Sequence, residues 1–217
     1  MTHTEPLSLL ALAVLALSSP APAAASDADL VARARAREAA QLAELARSPV
    51  QVQAEGRASG GRRSREIAWT REITYAPDGT VQVRQLSGSG GGARGGRGGG
   101  VQLLGPLTLA PFSLPGAQVA VRPSPGPGGS ALVEVRSPAG GAISAVVVEV
   151  DPATGAKRAL EVVPGGGEGG RVSEARARIT FDADGAIARL ESHAEIQGRR
   201  GSGTVEVHGH RVAAPQR

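Results

Sequence analysis

The sequence predicts a mostly β protein (α+β), an antiparallel meander preceded by one N-terminal helix. Three observations predict it. Ser26 to Arg47 is rich in Ala, Leu, Arg, Glu and Gln, all good helix formers. From Val50 the apolar residues recur with a period of two, the mark of half-buried strands. Turn motifs of Pro, Asp and Gly residues then separate one short apolar run from the next, which suits hairpins better than parallel crossovers.

The first element is a leader. Leu7 to Leu17 is an apolar run, Ser18-Ser19-Pro20 breaks it, and Ala23-Ala24-Ala25 supplies the small side chains of a peptidase site. The run is shorter than the roughly 20 residues a membrane span needs. Residues 1–25 therefore read as a signal peptide, with a mature chain that starts near Ser26 and is periplasmic or secreted. The leader is irregular in one respect: Met1 to Pro6 holds no Lys or Arg.

The helix follows at once. Ser26 or Asp27 can cap it, Asp29 suits the positive end of its dipole, and Pro49 ends it. Leu30, Val31, Ala34, Leu42 and Leu45 give it a thin apolar stripe. In the first clear strand Ile67, Trp69, Ile73 and Tyr75 share one face, and Glu66, Thr70, Glu72 and Thr74 the other. Ala76-Pro77-Asp78-Gly79 turns the chain into Val81 and Val83. Further hairpins join Ala131–Arg136 to Ile143–Val150, Val150 to Leu160–Val163, and Ala175–Phe181 to Ile187–Ile196; Gly198 to Gly203 leads into Thr204–Val212. Two stretches break the pattern. Ser87 to Gly100 is almost all Gly and Ser and reads as a mobile loop. Gly105 to Gly128 sets Leu107, Leu109, Phe112 and Leu114 among prolines before a short strand at Ala117 to Arg122.

Ile143 to Val150 is apolar on both faces, so both should be covered. The helix can cover one. A second sheet layer, the Leu107–Leu114 segment or an apolar ligand could cover the other.

The 192 residues left after the first 25 of 217 suit a single β-rich domain, 26–217, with the Gly-rich loop at 87–100 inside it. Glu5 is the one formal charge in the leader, so the mature chain carries +5 against +4 for the whole. The absence of cysteine rules out disulfides, lipid attachment behind the signal, thiol catalysis and Cys-ligated metals. With one Trp, one Tyr and two Phe, recognition of sugars or bases by stacking has few side chains to draw on.

Several motifs invite sharper readings. Ala93-Arg94-Gly95-Gly96-Arg97-Gly98 resembles an RGG box, but it has two arginines, no interleaved aromatic residue and an export signal upstream; it reads as a linker, and no nucleic-acid partner is expected. Asp182-Ala183-Asp184-Gly185 lacks the remaining ligands of a calcium loop and reads as a hairpin turn. If Gly198–Gly203 is a loop, His193 faces His208 and Glu191 faces His210. The preceding hairpin adds Glu174 and Arg176 to that polar face. Three imidazoles and two carboxylates could bind Zn²⁺ or Cu²⁺, but Arg176 disfavours a cation and the pairing sets Glu195 against Glu206. The face reads as solvated, with no metal and no cofactor assigned. Ser, His and Asp occur without a nucleophile elbow, so no catalytic residue is assigned either.

The order of elements resembles the periplasmic lipoprotein-carrier (LolA-like) proteins and the related RseB-type sensor domains. The closest local match is Ala131–Phe181. There a short strand leads into Ile143–Val150, then Asp151-Pro152-Ala153-Thr154-Gly155, a return strand at Leu160–Val163, and a strand ending Ile179-Thr180-Phe181. The resemblance implies a sheet curled into an incomplete barrel, helices over its mouth, and a concave apolar face that holds acyl chains. The chain departs from that pattern in its few aromatics, its long Gly loop and its Pro-rich middle, and no motif carries over the family's functional arginine. The expected function is binding, not catalysis: an exported protein for a lipid, lipoprotein or hydrophobic peptide. Ile67, Trp69, Ile73, Val146 and Val148 would line the apolar surface. The expected partners are an acyl lipid or lipoprotein, with transient envelope association and no transmembrane span in the mature chain. The rival is a structural or interaction β-sandwich whose core its own side chains fill. An exported metal-dependent or hydrolytic enzyme stands third and rests only on the His face.

Overall fold

The helix forms where its cap and stripe place it. In the computed structural model α1 runs Asp27–Leu45. The Ser26 hydroxyl accepts from the Asp29 amide at 3.2 Å, and the Asp29 carboxylate accepts from the Ser26 amide and hydroxyl, which closes a capping box. Those hydrogen bonds hold the Asp29 carboxyl below the usual range, the Ser26 side chain contributing most. One face is buried: Leu30, Ala34, Glu38, Gln41, Leu42 and Leu45. The structure describes residues 26–60, 63–88, 103–122, 129–138, 143–165, 172–198 and 201–213. The expected leader, the RGG-like segment and the rest of the Gly-rich loop beyond Gly88 lie outside them.

Ten strands follow: β1 (Val50–Gly60), β2 (Arg63–Tyr75), β3 (Val81–Gly88), β4 (Gln118–Arg122), β5 (Ala131–Arg136), β6 (Ile143–Val150), β7 (Lys157–Pro164), β8 (Val172–Phe181), β9 (Ile187–Gly198) and β10 (Gly201–Val212). They form one open antiparallel sheet in the order β3-β2-β1-β10-β9-β8-β7-β6-β5-β4. Every pairing joins strands adjacent in sequence except that of β1 with β10, where Gln51 lies opposite Val212 and Gly60 opposite Gly203. β4 pairs β5, not β3, so the meander restarts after the Pro-rich segment.

That segment is not a strand. Pro106–Leu109 forms a short helix, α2, and Pro111–Ser113 a 3-10 turn. Leu104, Thr108, Leu109 and Phe112 are buried. The helix α1 packs against the 3-10 turn and against both β2 and β4. β2 is second in the sheet and β4 last. On a flat sheet, eight spacings of about 4.8 Å would part them by about 38 Å. A 19-residue helix is about 28 Å long. The sheet therefore curls around α1, and it stays open between β3 and β4.

The two faces of β6 are covered differently. Val146, Val148 and Val150 point into the curl and are fully buried. On the convex side Val147 lies opposite Glu134 of β5 and Glu161 of β7. Glu134 is bound there by Arg122 at 2.6 Å and Arg136 at 2.7 Å. Long charged side chains, with their apolar stems, take the place of a second layer; α1 and the Leu103–Leu114 segment both serve the concave face.

Candidate functional site

Residues paired across a ladder share a face, so the registers trace rows across the concave side. One row runs Trp69, Ala54, Gly209, Leu190, Ile179, Leu160, Val148 and Val133. It crosses eight strands without a charged residue, and each of its hydrophobic members is at most 7% exposed. The next row toward the hairpins β1–β2 and β9–β10 reads Ile67, Gly56, Val207, Ser192 and Ala177. The row after that reads Arg65, Ala58, Val205, Ala194 and Ala175. The concave surface is a trough with large aliphatic side chains at one end and Gly, Ala and Ser along β1, β9 and β8 at the other. At the second end Ile67, Ala58, Val205, Ala194 and Ala175 are half-buried.

The structure brings the expected lining residues onto this one face. Ile73, Val146 and Val148 are fully buried and Trp69 is 7% exposed, all within the core; Ile67 packs at its margin and keeps part of its surface open. The chain's own side chains therefore cover four of the five.

Arg71 also points into the trough, opposite fully buried Val52. Its guanidinium carbon lies 4.4 Å from the centroid of the Trp69 ring, and burial lowers its pKa.

The cover is held by a polar seam. Glu38 of α1 and Lys157 of β7 form an ion pair at 2.9 Å, with side chains 1% and 3% exposed. Lys157 Nζ also donates to the Leu109 carbonyl at 2.8 Å and lies 4.7 Å over the Phe181 ring. The other carboxylate oxygen of Glu38 accepts from the Ser113 amide and hydroxyl at 2.8 and 2.9 Å. One pair thus ties the helix, the 103–114 segment and the sheet together. Gln41 Nε2 donates to the Ala183 carbonyl at 3.3 Å in the β8–β9 turn. Nearby, the Tyr75 hydroxyl is buried without a hydrogen-bond partner, and burial raises its pKa.

Two turns seat the helix. Gly155, at φ +73°, lies so close to α1 that a Cβ would come 2.6 Å from the Arg33 carbonyl carbon. Gly185, at φ +82°, would bring one 2.5 Å from the Gln41 side chain. Asp151 fixes the first turn by accepting from the Thr154 and Ala153 amides and pairing with Arg158, which takes its pKa down to about 2. Asp182 and Asp184 of the second turn both pair with Arg211, at 3.1 and 2.7 Å. Burial pushes Asp184 up, but the Ala186 amide and Arg211 outweigh it and leave it low. This pairing accounts for the two aspartates without calcium.

The His-bearing face is convex, and its register differs from the sequence reading. Gly201, Ser202 and Gly203 belong to β10, so Gly198 pairs with Gly201 and the ladder shifts by two residues. His193 faces Glu206, His208 faces Glu191, and His210 faces Arg189. The shift removes the Glu195–Glu206 opposition and gives His193 Nδ1 a carboxylate at 3.4 Å. It also parts His193 from His208. Among the described residues no group of three His, Asp or Glu side chains is placed to hold a metal ion.

No protein-family model and no curated protein matches this sequence. Among solved structures, the chain is similar to a DUF1329 family protein from Desulfovibrio piger, with 14% identity and a TM-score of 0.40 over 82% of this chain and 90% of that one. It is also similar to a domain described as an outer membrane lipoprotein-sorting protein from Vibrio parahaemolyticus, with 9% identity and a TM-score of 0.38 over 85% and 89%. Neither likeness assigns an activity to this chain. Among the described residues no helix is long and apolar enough to cross a membrane.

Proposed function

We propose that this chain is an exported, non-catalytic binding protein that holds the acyl part of a lipid or lipoprotein in the trough of its curled sheet. The observation that carries the reading is the fall in side-chain size along the concave face. Val50 and Val52 give way to Gly56 and Ala58 on β1, Ile179 to Ala177 and Ala175 on β8, and Leu190 to Ser192 and Ala194 on β9. An apolar surface floored by small residues leaves width for a chain of methylenes, each of which gains about 0.8 kcal/mol on leaving water. Ile67 and Trp69 stand at the side of that space, while Ile73, Val146 and Val148 wall the covered part. Entry beneath α1 needs the helix to tilt, and its apolar hold is thin: three leucines and one alanine are buried, beside Glu38 and Gln41.

Protein purified from its native envelope should carry acyl lipid, detected by mass spectrometry of an organic extract, and delipidated protein should take up a fluorescent fatty acid. Absence of both would reject the reading. N-terminal sequencing of the mature chain tests export separately, with Ser26 the expected first residue.

The rival reading, a structural or interaction protein with a self-filled core, is favoured by one fact: Trp69, Ile73, Val146 and Val148 are at least 93% buried by the chain itself. Fatty-acid uptake separates the two.

A further inference from the structure

One cation on the concave face stands without a counter-charge. Arg71 and Arg211 lie on either side of Val52, in one row across β2, β1 and β10. Arg211 is paired with Asp182 at 3.1 Å and Asp184 at 2.7 Å. Lys157, farther round the curl, is paired with Glu38 at 2.9 Å. Arg71 has neither a carboxylate nor a hydrogen-bond acceptor among the described residues, and burial acts alone on its pKa, with no acid near enough to oppose it. What it has is the Trp69 ring, 4.4 Å from its guanidinium carbon. That contact engages one face of a planar group. The five N–H donors around the rim stay unanswered. Arginine is almost never fully buried unless it is paired, because a charge that leaves water needs a counter-charge to offset the loss. Arg71 is half-buried, so its rim still opens into the trough.

We propose that Arg71 is the head-group site of the trough, where it takes the anionic oxygens at the end of a single acyl chain. The proposal rests on the acyl reading above and gives it a polarity. The ligand is an anionic amphiphile, a fatty carboxylate or an alkyl phosphate, laid in one direction. A planar guanidinium matches two anionic oxygens bidentately. From Arg71 the chain runs past Trp69 and Ile67 to the row of Arg65, Ala58, Val205 and Ala194. About 20 Å of strand separates Arg71 from Arg65 in that row. One leaflet of a bilayer's hydrocarbon is about 15 Å deep, so a single extended chain fits the run. In the other direction Ile73 and Tyr75 are buried by the chain itself, so the head goes no deeper than Arg71.

The test uses the full mature chain, delipidated. It is titrated with palmitate, hexadecyl phosphate and hexadecanol, which share a chain and differ in the head, and displacement of the neutral dye N-phenyl-1-naphthylamine is read. An anionic head should bind at least tenfold tighter than the alcohol, and the tighter of the two anions names the head. Acetate and inorganic phosphate, anions without a chain, should displace nothing. Arg71→Gln should bring both anions down to the level of the alcohol, and Arg71→Lys should keep part of the preference. Trp69 is the chain's one tryptophan, so its emission reports on the site in the wild-type protein. There 2-bromopalmitate should quench it more than 16-bromopalmitate does; the chain has no cysteine for the bromo acid to alkylate. Equal affinity for the alcohol and both anions, displacement by the chainless ions, a preference that survives Arg71→Gln, or stronger quenching by the terminal bromine would each overturn the head-group site and leave the trough standing. No displacement by any of the three chains would overturn the trough and the head-group site together.

Discussion

The two ends of the trough are built from the same strands and differ in what fills them. At the end under α1, the concave positions carry Val, Ile and Leu, and the helix and the 103–114 segment close over them. At the far end the same alternation continues on β1, β8 and β9, but with Gly, Ala and Ser. Inside/outside patterning and side-chain volume are thus separate properties of a strand. The first makes the sheet and persists along its whole length; the second decides where the sheet fills its own interior. A core that was filled throughout would keep large residues in both halves.

The largest expected effect lies in the polar seam of the covered end. Glu38→Gln or Lys157→Met alone leaves the other charge buried without its partner and should lower stability by about 3–5 kcal/mol in urea unfolding. Glu38→Leu combined with Lys157→Met should recover most of that loss, because an apolar pair needs no compensation. If α1 must tilt to admit ligand, the double variant should also take up fatty acid more slowly; unchanged uptake would place entry wholly at the open end. A smaller effect is expected from filling that end. Ala194→Phe should change stability by about 1 kcal/mol or less, since the position is half-exposed, yet cut fatty-acid uptake at least tenfold. A stability gain with uptake intact would make the open end a packing defect and not a site. The smallest effect is acid sensitivity of the seat of α1. The Asp151 carboxyl, at about 2 when folded against about 3.9 unfolded, adds stability that is present above pH 4 and lost as pH falls toward 2. Asp151→Asn should remove that dependence, read as amide exchange in residues 151–157 from pH 5 to pH 2.

Much of this was legible from residue order. The capped helix, the alternation after Val50 and most of the hairpin turns are local signals, and the sheet follows them. The His face was legible in phase but not in register. Alternation fixes which side a residue faces, and a slip of two keeps every side chain on its side; Gly201, Ser202 and Gly203 offered no apolar residue to show that the strand had begun. The Lys157–Glu38 pair was missed, though it left two traces. Lys157 is the only lysine in a chain that otherwise uses arginine, and Glu38 interrupts the stripe Leu30, Ala34, Leu42, Leu45 at the spacing where an apolar residue was due. The small-residue end of the trough was readable as composition, but only the registers show that Gly56, Ser192 and Ala177 stand in one row.

The pairing of β1 with β10 has a consequence for how the chain reaches its final state. Among the described strands, β10 is the sole bridge between the β3-β2-β1 group, made first in synthesis, and the rest of the sheet. The earliest hairpins must wait, with the edge of β1 bare, for the dozen residues of β10. Glu38 waits with them, since Lys157 and the turn carrying Ala183 arrive more than a hundred residues later. Contacts of such long sequence separation make for slow closure. A chain crossing a membrane N-terminus first would therefore present its leading helix and three orphaned strands to the far side well before anything exists for them to close upon. Loss of the final strand would leave two separate β sheets where the intact chain has one.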